Sequence, residues 1–439
     1  MVKEKGIIKI KDLLEIQNLQ IPDYQRPYKW KVKNVNQLID DILFHKNKKG
    51  YRLGTLVLHY DDKNNLNIVD GQQRVITIFL LVYALNEKLD NKIDFKKLNG
   101  NFYNKISQNN IIDNYNLIEK RIEEFKNFII EFFLNKCEFV KVVIDDVQEA
   151  FQFFDSQNAR GKDLEPHDLL KAFHLREMNN STKYDKIKVV EEWENLESKE
   201  LANLFANYLF KIKNWSKGKS AYYFTKNDID IFKGVSLENQ NYPFMKQLQI
   251  NNYYVDKQNE AERVNNYHFD YPFQIDQIVI NGKRFFEMII YYNNLKRYVE
   301  NSENKGIKKD IECNILDTLD TYDGHNRIGD KYVLDLFNCA LFYYIDKFGK
   351  IDLDKAIKKL FIWAYTLRLL QYSVKLASVD NYAIGKHEYA KESLFQKLYY
   401  AINHNEILNL NLESIKEINA TKVDKLLDLF KELKYYEQR

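Results

Sequence analysis

The chain has few of the residues that break or cross-link regular structure. Its 439 residues include only 14 glycines, 5 prolines and 3 cysteines. So few breakers exclude a collagen-like or loop-rich chain and favour a mainly helical protein. Cys137, Cys313 and Cys339 lie far apart, which excludes a disulfide framework and a cysteine-based metal site. The odd number of cysteines fits a reducing compartment, and we expect a cytoplasmic protein.

Long apolar runs and a large net charge are also missing. No apolar stretch reaches the ~18 residues of a membrane span, and the first residues lack the apolar core of a signal peptide. The formal net charge is only +3, so a globally basic nucleic-acid-binding protein is not indicated. Residues 1–60 nevertheless contain 12 Lys and Arg against 6 Asp and Glu. This excess predicts a segment that faces an anion or, equally well, a solvated lysine-rich surface.

The distribution of apolar residues predicts two parts in an α+β protein. Apolar residues make up 45% of the chain, which suffices for two or three domains at this length. Residues 1–178 mix strand and helix patterns, and a polar boundary follows at 179–182. Residues 183–439 carry apolar positions at helical spacing, so we predict a mainly α-helical C-terminal region, with a further break near 215–271. The predicted strands are 7–10, 51–59, 66–69 and 139–144, and the predicted N-terminal helices are 11–17, 147–154 and 166–177.

The segment Asp70-Gly71-Gln72-Gln73-Arg74 joins a predicted strand to a predicted helix. A glycine at such a turn lets the backbone approach a ligand closely. The free N–H groups at the start of the helix favour an anion, and Arg74 offers a planar set of donors that suits phosphate. The pattern therefore predicts a phosphate-binding turn. The structural alternative is a buried Arg74 paired with Asp70.

A second candidate segment runs from Ile21 to Trp30, where two prolines bracket polar and aromatic residues. Proline restricts itself and its predecessor, so the segment is predicted to be extended and stiff. Aromatic rings stack on nucleobases, while Arg and Gln side chains hydrogen-bond to bases or phosphates. The alternative is a structural arm that packs its rings into the core. The residues that would contact nucleic acid are Tyr24, Arg26, Tyr28 and Trp30, with Gln25 beside them.

The third candidate segment covers 154–171. Asn158 and Gly161 are typical of a helix end, and Lys171 follows on the next predicted helix. The cations around this turn suit an anion. The simpler interpretation is a connection between two helices in which Asp168 is satisfied locally.

These three segments, in this order, resemble the DUF262 family, which is related to the ParB-like N-terminal part of the GmrS/GmrD type IV restriction enzymes. The resemblance covers residues 10 to 176 and implies a ParB/sulfiredoxin-like α+β domain. Two downstream segments, 327–331 and 378–383, look like the helical extension of longer family members. The N-terminal motifs are Ile-Pro-x-Tyr-Gln-Arg-x-Tyr-x-Trp at 21–30, Leu-Gly-Thr at 53–55, Asp-Gly-Gln-Gln-Arg at 70–74, Asn-x-x-Gly-x-x-Leu at 158–164 and Asp-Leu-Leu-Lys at 168–171.

The resemblance also implies an activity. In the family, the Asp-Gly-Gln-Gln-Arg motif is associated with nucleotide binding and hydrolysis, and related members act against phage and modified DNA. Carried over, Asp70 and Arg74 would act in catalysis, with Asp70 positioning a metal ion or water. NTP and Mg²⁺ are the expected cofactors, because magnesium neutralises phosphate charge during transfer. The residues implied to bind the nucleotide are Gln25, Arg26, Gly71, Gln72, Gln73, Arg74, Asn158 and Lys171.

The sequence departs from full restriction enzymes of this kind in one respect. Those enzymes carry an HNH-type nuclease domain with a His-rich metal site, and no His-x-x-Pro start or matching His/Asn/His set follows residue 180. His325, His387 and His404 are isolated. We therefore expect nuclease activity to come from a separate partner subunit. The other expected partners are DNA, including modified or phage DNA, and a second copy of the chain.

Three functions are consistent with these residues. The leading hypothesis is an NTP-binding and hydrolysing sensor or regulatory protein of an anti-phage restriction system. The second is a DNA-binding module without NTPase activity, whose affinity would fall steeply with salt. The third is a DNase with an unrecognised active site in 183–439.

Overall fold

The computed structural model describes residues 2–22, 25, 27–61, 64–89, 93–100, 102, 104–125, 127–145, 165–178, 181–238, 242–261, 269–300 and 306–437. The chain divides into two compact units. The first comprises residues 1–164 and 181–195, and the second comprises 165–180 and 196–439. The helix at 166–176, which we predict as the end of the N-terminal domain, is grouped with the second unit.

The first unit is built on a five-stranded mixed sheet. Its strands are β1 (Val2–Lys9), β2 (Leu19–Gln20), β3 (Tyr51–Tyr60), β4 (Leu66–Asp70) and β5 (Cys137–Ile144). They lie in the order β1-β5-β3-β4-β2. β3 pairs antiparallel with β4 and parallel with β5, while β1 is antiparallel to β5 and β2 is parallel to β4. The predicted hairpin of 51–59 and 66–69 is confirmed, and the strand predicted at 7–10 is longer and starts earlier.

Helices cover the sheet and form the main core with it. The buried side of α3 includes Val75, Ile78, Val82 and Leu85, which pack in one cluster with sheet residues such as Leu56. Each such side chain stabilises the fold by about 1.5–3 kcal/mol relative to its exposed state. The helices of this unit are α1 (Ile10–Leu14), α2 (Val32–His45), α3 (Gln72–Leu89), α4 (Lys105–Arg121), α5 (Asn127–Lys136) and α7 (Lys183–Glu194). Helix α6 (Pro166–Arg176) lies between α5 and α7 in the sequence but belongs to the second unit.

The second unit is helical in its described residues, with isolated β-bridges in place of a sheet. A π-helix, Leu204–Leu209, joins its first two new helices. Short 3₁₀ turns occupy Lys226–Phe232, Pro243–Met245 and Ile307–Lys309. The helices are α8 (Ser198–Asn203), α9 (Phe210–Trp215), α10 (Lys246–Ala261), α11 (Lys283–Val299), α12 (Ile315–Thr321), α13 (Ile328–Phe348), α14 (Leu353–Leu370), α15 (Leu376–Ala383), α16 (Leu394–Tyr400), α17 (Asn405–Leu408) and α18 (Asp424–Glu432).

The predicted helical region and the α+β class are confirmed, but two details differ. The apolar positions at helical spacing run on through 353–376, but the helix ends at Leu370 because Gln371 has extended backbone angles, and a new helix begins at Leu376. The region near 215–271, predicted as a break with loops around short helices, contains the 16-residue helix α10. Among the described side chains of α10 only Val255 is fully buried, so the helix carries almost no apolar periodicity.

The two downstream motifs form buried polar contacts within the second unit. Asp330 is almost fully buried and accepts hydrogen bonds from the Tyr322 hydroxyl at 2.7 Å and from Arg327 Nε at 2.8 Å. Asp380, also buried, accepts from Trp215 Nε1 at 2.8 Å and from the Ala221 N–H at 2.7 Å. Both carboxylates therefore hold the helical unit together, since a buried charge needs such partners.

Candidate functional site

The turn between β4 and α3 has a backbone conformation that requires glycine. Gly71 has φ +93, in the region that side-chain-bearing residues rarely adopt. A β-carbon at Gly71 would lie 3.0 Å from Leu56 Cδ1 and 3.2 Å from the Thr55 carbonyl oxygen. The turn therefore lies directly against β3, and α3 begins at the next residue with its first N–H groups unpaired within the helix. The predicted strand, turn and helix are present in this order.

Asp70 ends β4 and interacts with the turn itself. Its Oδ1 accepts the Gly71 N–H at 2.6 Å. Its carboxylate is not paired with Arg74, since Arg74 forms no ion pair with any described residue. The structural alternative, an ion pair between Asp70 and Arg74, is therefore absent among the described residues.

Arg74 lies on the first turn of α3, half-buried, with its guanidinium against β3. A β-carbon at Gly54 would be 3.0 Å from Arg74 Nη1. Gly54 has φ +132 and sits at an irregularity in the pairing of β3 with β5. No described residue accepts a hydrogen bond from the guanidinium. Its donors therefore remain available to a ligand.

Tyr51, which the sequence did not single out, lies near Arg74. Burial raises the pKa of the Tyr51 hydroxyl, and the negative charge of Asp41 raises this pKa further. The positive charge of Arg74 opposes both effects, so the guanidinium lies near this hydroxyl. The only sequence signal for this neighbourhood is the Leu-Gly-Thr motif, whose glycine makes room for the guanidinium.

The described part of the Ile21–Trp30 segment is tied to β4 and to the start of α3. Gln25 Nε2 donates to the carbonyl oxygens of Ile68 at 3.0 Å and Val69 at 2.7 Å. Gln73 Oε1 accepts the N–H groups of Lys29 at 2.7 Å and Trp30 at 3.1 Å. Gln25 and Gln73 thus hold the segment beside the turn, and their side-chain amides are used in these hydrogen bonds.

The expectation that Tyr28 stacks on a nucleobase needs correction. Tyr28 is only 1% exposed, so its ring has no open face. Its hydroxyl bonds to Thr77 Oγ1 at 2.7 Å and accepts from Asn114 Nδ2 at 3.0 Å. Burial accordingly raises the pKa of this phenol. Trp30 is half-buried and packs against the same core, so the described rings of the segment match the structural alternative.

The remaining predicted residues are distributed as follows. Gln72 is buried at the start of α3, and its Oε1 accepts from Gln73 Nε2 at 3.4 Å. Lys171 lies on α6 in the second unit, where its side chain is buried. Its contribution to the site stays a prediction. Tyr24, Arg26 and Asn158 lie outside the described residues.

The residues of the turn fit a magnesium ion only as part of a nucleotide complex. Asp70 is the predicted metal ligand. The described residues contain no group of three or more His, Cys, Asp or Glu side chains arranged around a common point. Mg²⁺ characteristically binds through one or two carboxylates together with substrate phosphates, and it retains several waters. A single carboxylate beside a phosphate-binding turn is compatible with that mode.

Comparison with known families identifies both parts of the chain. Residues 10–175 match the family model described as "GmrSD restriction endonuclease, N-terminal domain". This match confirms the DUF262-type resemblance. Residues 185–425 match the model described as "Family of unknown function (DUF7834)". Because this match spans more than half of the residues, the chain belongs to that family. No curated protein matches the chain.

No helix within the described ranges combines the length and apolar composition needed to cross a membrane.

Proposed function

We propose that the turn from Asp70 to Arg74 binds and hydrolyses an NTP, and that the chain is a nucleotide-dependent regulatory protein of a DNA restriction system. The observation that carries the proposal is the Arg74 guanidinium, which has no acceptor or counter-ion among the described residues. A half-buried arginine normally has such a partner, because leaving its donors unmatched costs free energy. A phosphate group would supply the missing acceptors.

The chemistry of the turn supports phosphate as the ligand. The first N–H groups of α3 carry the positive end of the helix dipole. Gly71 allows the positive φ from which α3 begins, and Arg74 adds charge-assisted donors from the same turn of the helix. Asp70 would hold a nucleotide-bound Mg²⁺ or orient water. When bound, this ion would neutralise phosphate charge.

DNA as the target is proposed from the description of the N-terminal family as a restriction endonuclease domain. In this proposal a separate subunit cuts the DNA, and the nucleotide state of the chain controls that cutting. Assembly with a second copy of the chain belongs to the same proposal.

The test is nucleotide binding and turnover with Mg²⁺ for the wild type and Arg74→Ala. Hydrogen bonds to charged groups contribute about 1.5–3 kcal/mol, so we expect Arg74→Ala to bind at least tenfold more weakly. Arg52→Ala is the matched control, because Arg52 lies on β3 close to Gly54 and its exposed side chain pairs with Glu138 at 3.2 Å. Equal turnover in wild type and Arg74→Ala, or no binding by the wild type, would contradict the proposal.

The basic N-terminal segment supports a second candidate, a DNA-binding module that needs no nucleotide. Competition between NTP and duplex DNA separates the two. A DNA-binding module predicts affinity that falls steeply with salt and does not change when NTP is added.

A further inference from the structure

A small cavity in the second unit combines cations and hydrogen-bond donors with three apolar side chains, Ile362, Leu408 and Leu433. Its volume is about 330 Å³, at the lower end of the range of about 300–1,000 Å³ for ligand pockets. No carboxylate is among its described lining residues. Its walls come from α14, from the α17 segment and from the chain after α18. The polar lining residues are Lys355, Lys358, Lys359, Asn405, Asn409 and Tyr435.

Lys359 is held in a fixed position at the base of this cavity. Its Nζ donates to the Leu410 carbonyl oxygen and to the Tyr435 hydroxyl, both at 2.9 Å. Because the Tyr435 oxygen accepts this bond, the phenolic hydrogen is available to donate elsewhere. The base of the cavity therefore combines a fixed positive charge with a hydroxyl donor.

The remaining groups extend the same chemistry towards solvent. Lys358 is exposed and forms no hydrogen bond or ion pair within the described chain. The side-chain amides of Asn405 and Asn409 likewise donate to no described residue. Lys355 pairs with Asp352 at 2.9 Å and is largely exposed, so it is a movable cation at the rim.

We propose that this cavity binds the oxygens of a phosphate group. Cations and neutral donors without a lining carboxylate are the arrangement that favours an oxyanion over a cation. A larger cavity of about 670 Å³ in the same unit offers no comparable preference, because both glutamates and lysines line it. The phosphate can belong to a nucleic-acid backbone or to a free nucleotide or pyrophosphate.

The test compares Lys355→Ala/Lys358→Ala with the wild type and with Lys375→Ala/Lys386→Ala. The control removes two exposed lysines from the same unit and thus makes the same change in charge. A fluorescent 20-bp duplex is titrated at several salt concentrations, and pyrophosphate binding is measured by calorimetry. Lys358→Gln, which keeps part of the side-chain stem, and the thermal midpoint of each variant check that folding is intact.

A backbone phosphate predicts weaker duplex binding by the cavity variant, with the salt slope reduced by about one for each lysine that contacts a phosphate. A free ligand predicts unchanged duplex binding and at least tenfold weaker pyrophosphate binding. Either result, absent from the control, supports the proposal. Unchanged binding of both probes by the folded cavity variant overturns it. Because Arg74 is intact in every variant, this result would overturn the cavity proposal without testing the proposal that the Asp70–Arg74 turn binds a nucleotide.

Discussion

The Arg74 guanidinium lies across the backbone of Gly54, where a β-carbon would be 3.0 Å from Nη1 and 3.2 Å from Cζ. This contact relates two motifs that are 20 positions apart in the sequence. Gly54 lies on β3 with φ +132 at an irregular position of the sheet, and its missing side chain leaves space above the strand. The Arg74 guanidinium of α3 occupies this space. The orientation of the proposed phosphate ligand therefore depends on a residue that would not contact it.

Gly54→Ala is the first prediction. The new methyl group would displace the guanidinium, and the positive φ would add backbone strain of about 1–3 kcal/mol. We expect nucleotide affinity to fall towards that of Arg74→Ala while the sheet still forms. Gly6→Ala is the matched control, since a β-carbon at Gly6 of β1 would meet nothing within 4 Å. Calorimetric nucleotide titration checks the prediction, and wild-type affinity in Gly54→Ala would contradict it.

Gln73 illustrates what the sequence did not reveal. The motif indicates phosphate binding for both glutamines, yet Gln73 Oε1 accepts two N–H groups of the proline-bracketed segment and Nε2 donates to the Pro27 carbonyl at 3.2 Å. Gln73→Ala leaves these groups unmatched at a partly buried position. We expect a loss of about 2 kcal/mol in the free energy of unfolding and faster hydrogen exchange at the Lys29 and Trp30 amides.

The control for Gln73→Ala is Gln108→Ala, an exposed glutamine on α4, for which we expect unchanged stability. If Gln73 acts only by fastening the segment, nucleotide affinity changes less than stability. A variant of wild-type stability with lost nucleotide binding would instead assign Gln73 a direct role in the ligand site.

The Tyr28 hydroxyl is the centre of a chain of hydrogen bonds that reaches the first turn of α3. Asn114 Nδ2 donates to the Tyr28 hydroxyl, the hydroxyl bonds to Thr77 Oγ1, and Thr77 donates to the Gln73 carbonyl at 2.9 Å. Tyr28→Phe removes the central hydroxyl, so we expect a loss of about 1–2 kcal/mol in the free energy of unfolding. Tyr83→Phe, at an exposed position of α3, should change nothing measurable. Duplex binding should be unchanged in both variants, and a specific loss in Tyr28→Phe would assign the Tyr28 hydroxyl a role in DNA binding.

The sequence predicted those features that depend on local pattern. The hairpin of β3 and β4 and the turn at Gly71 follow from apolar runs, turn residues and a glycine at the strand end. The proximity of Gly54 to Arg74 depends instead on strand register, and the role of Gln73 depends on the path of a distant segment. Neither is encoded in a local pattern. Tyr28 was assigned to stacking because aromatic residues in a stiff loop have the same spacing whether they face solvent or the core.

His174, on α6 in the second unit, yields a prediction about pH. The ring is fully buried and stacks on Phe285 with centroids 3.6 Å apart. Nε2 bonds to the Phe232 carbonyl at 3.1 Å, and Nδ1 accepts the Gly282 N–H at 3.3 Å, which defines a neutral tautomer. Burial lowers the pKa of His174 from 6.5 to about 3.

Because the folded pKa is lower than the unfolded one, the unfolded chain binds more protons between pH 6.5 and pH 3. The stability contributed by neutral His174 is therefore complete above pH 6.5 and is lost as the pH falls towards 3, at up to about 1.4 kcal/mol per pH unit. His174→Gln removes this titration. We expect it to unfold at a lower temperature than the wild type at pH 7, with the difference shrinking towards pH 4. Thermal midpoints measured from pH 4 to pH 7 check this, and parallel curves for the two proteins would show that folding does not lower the pKa of His174.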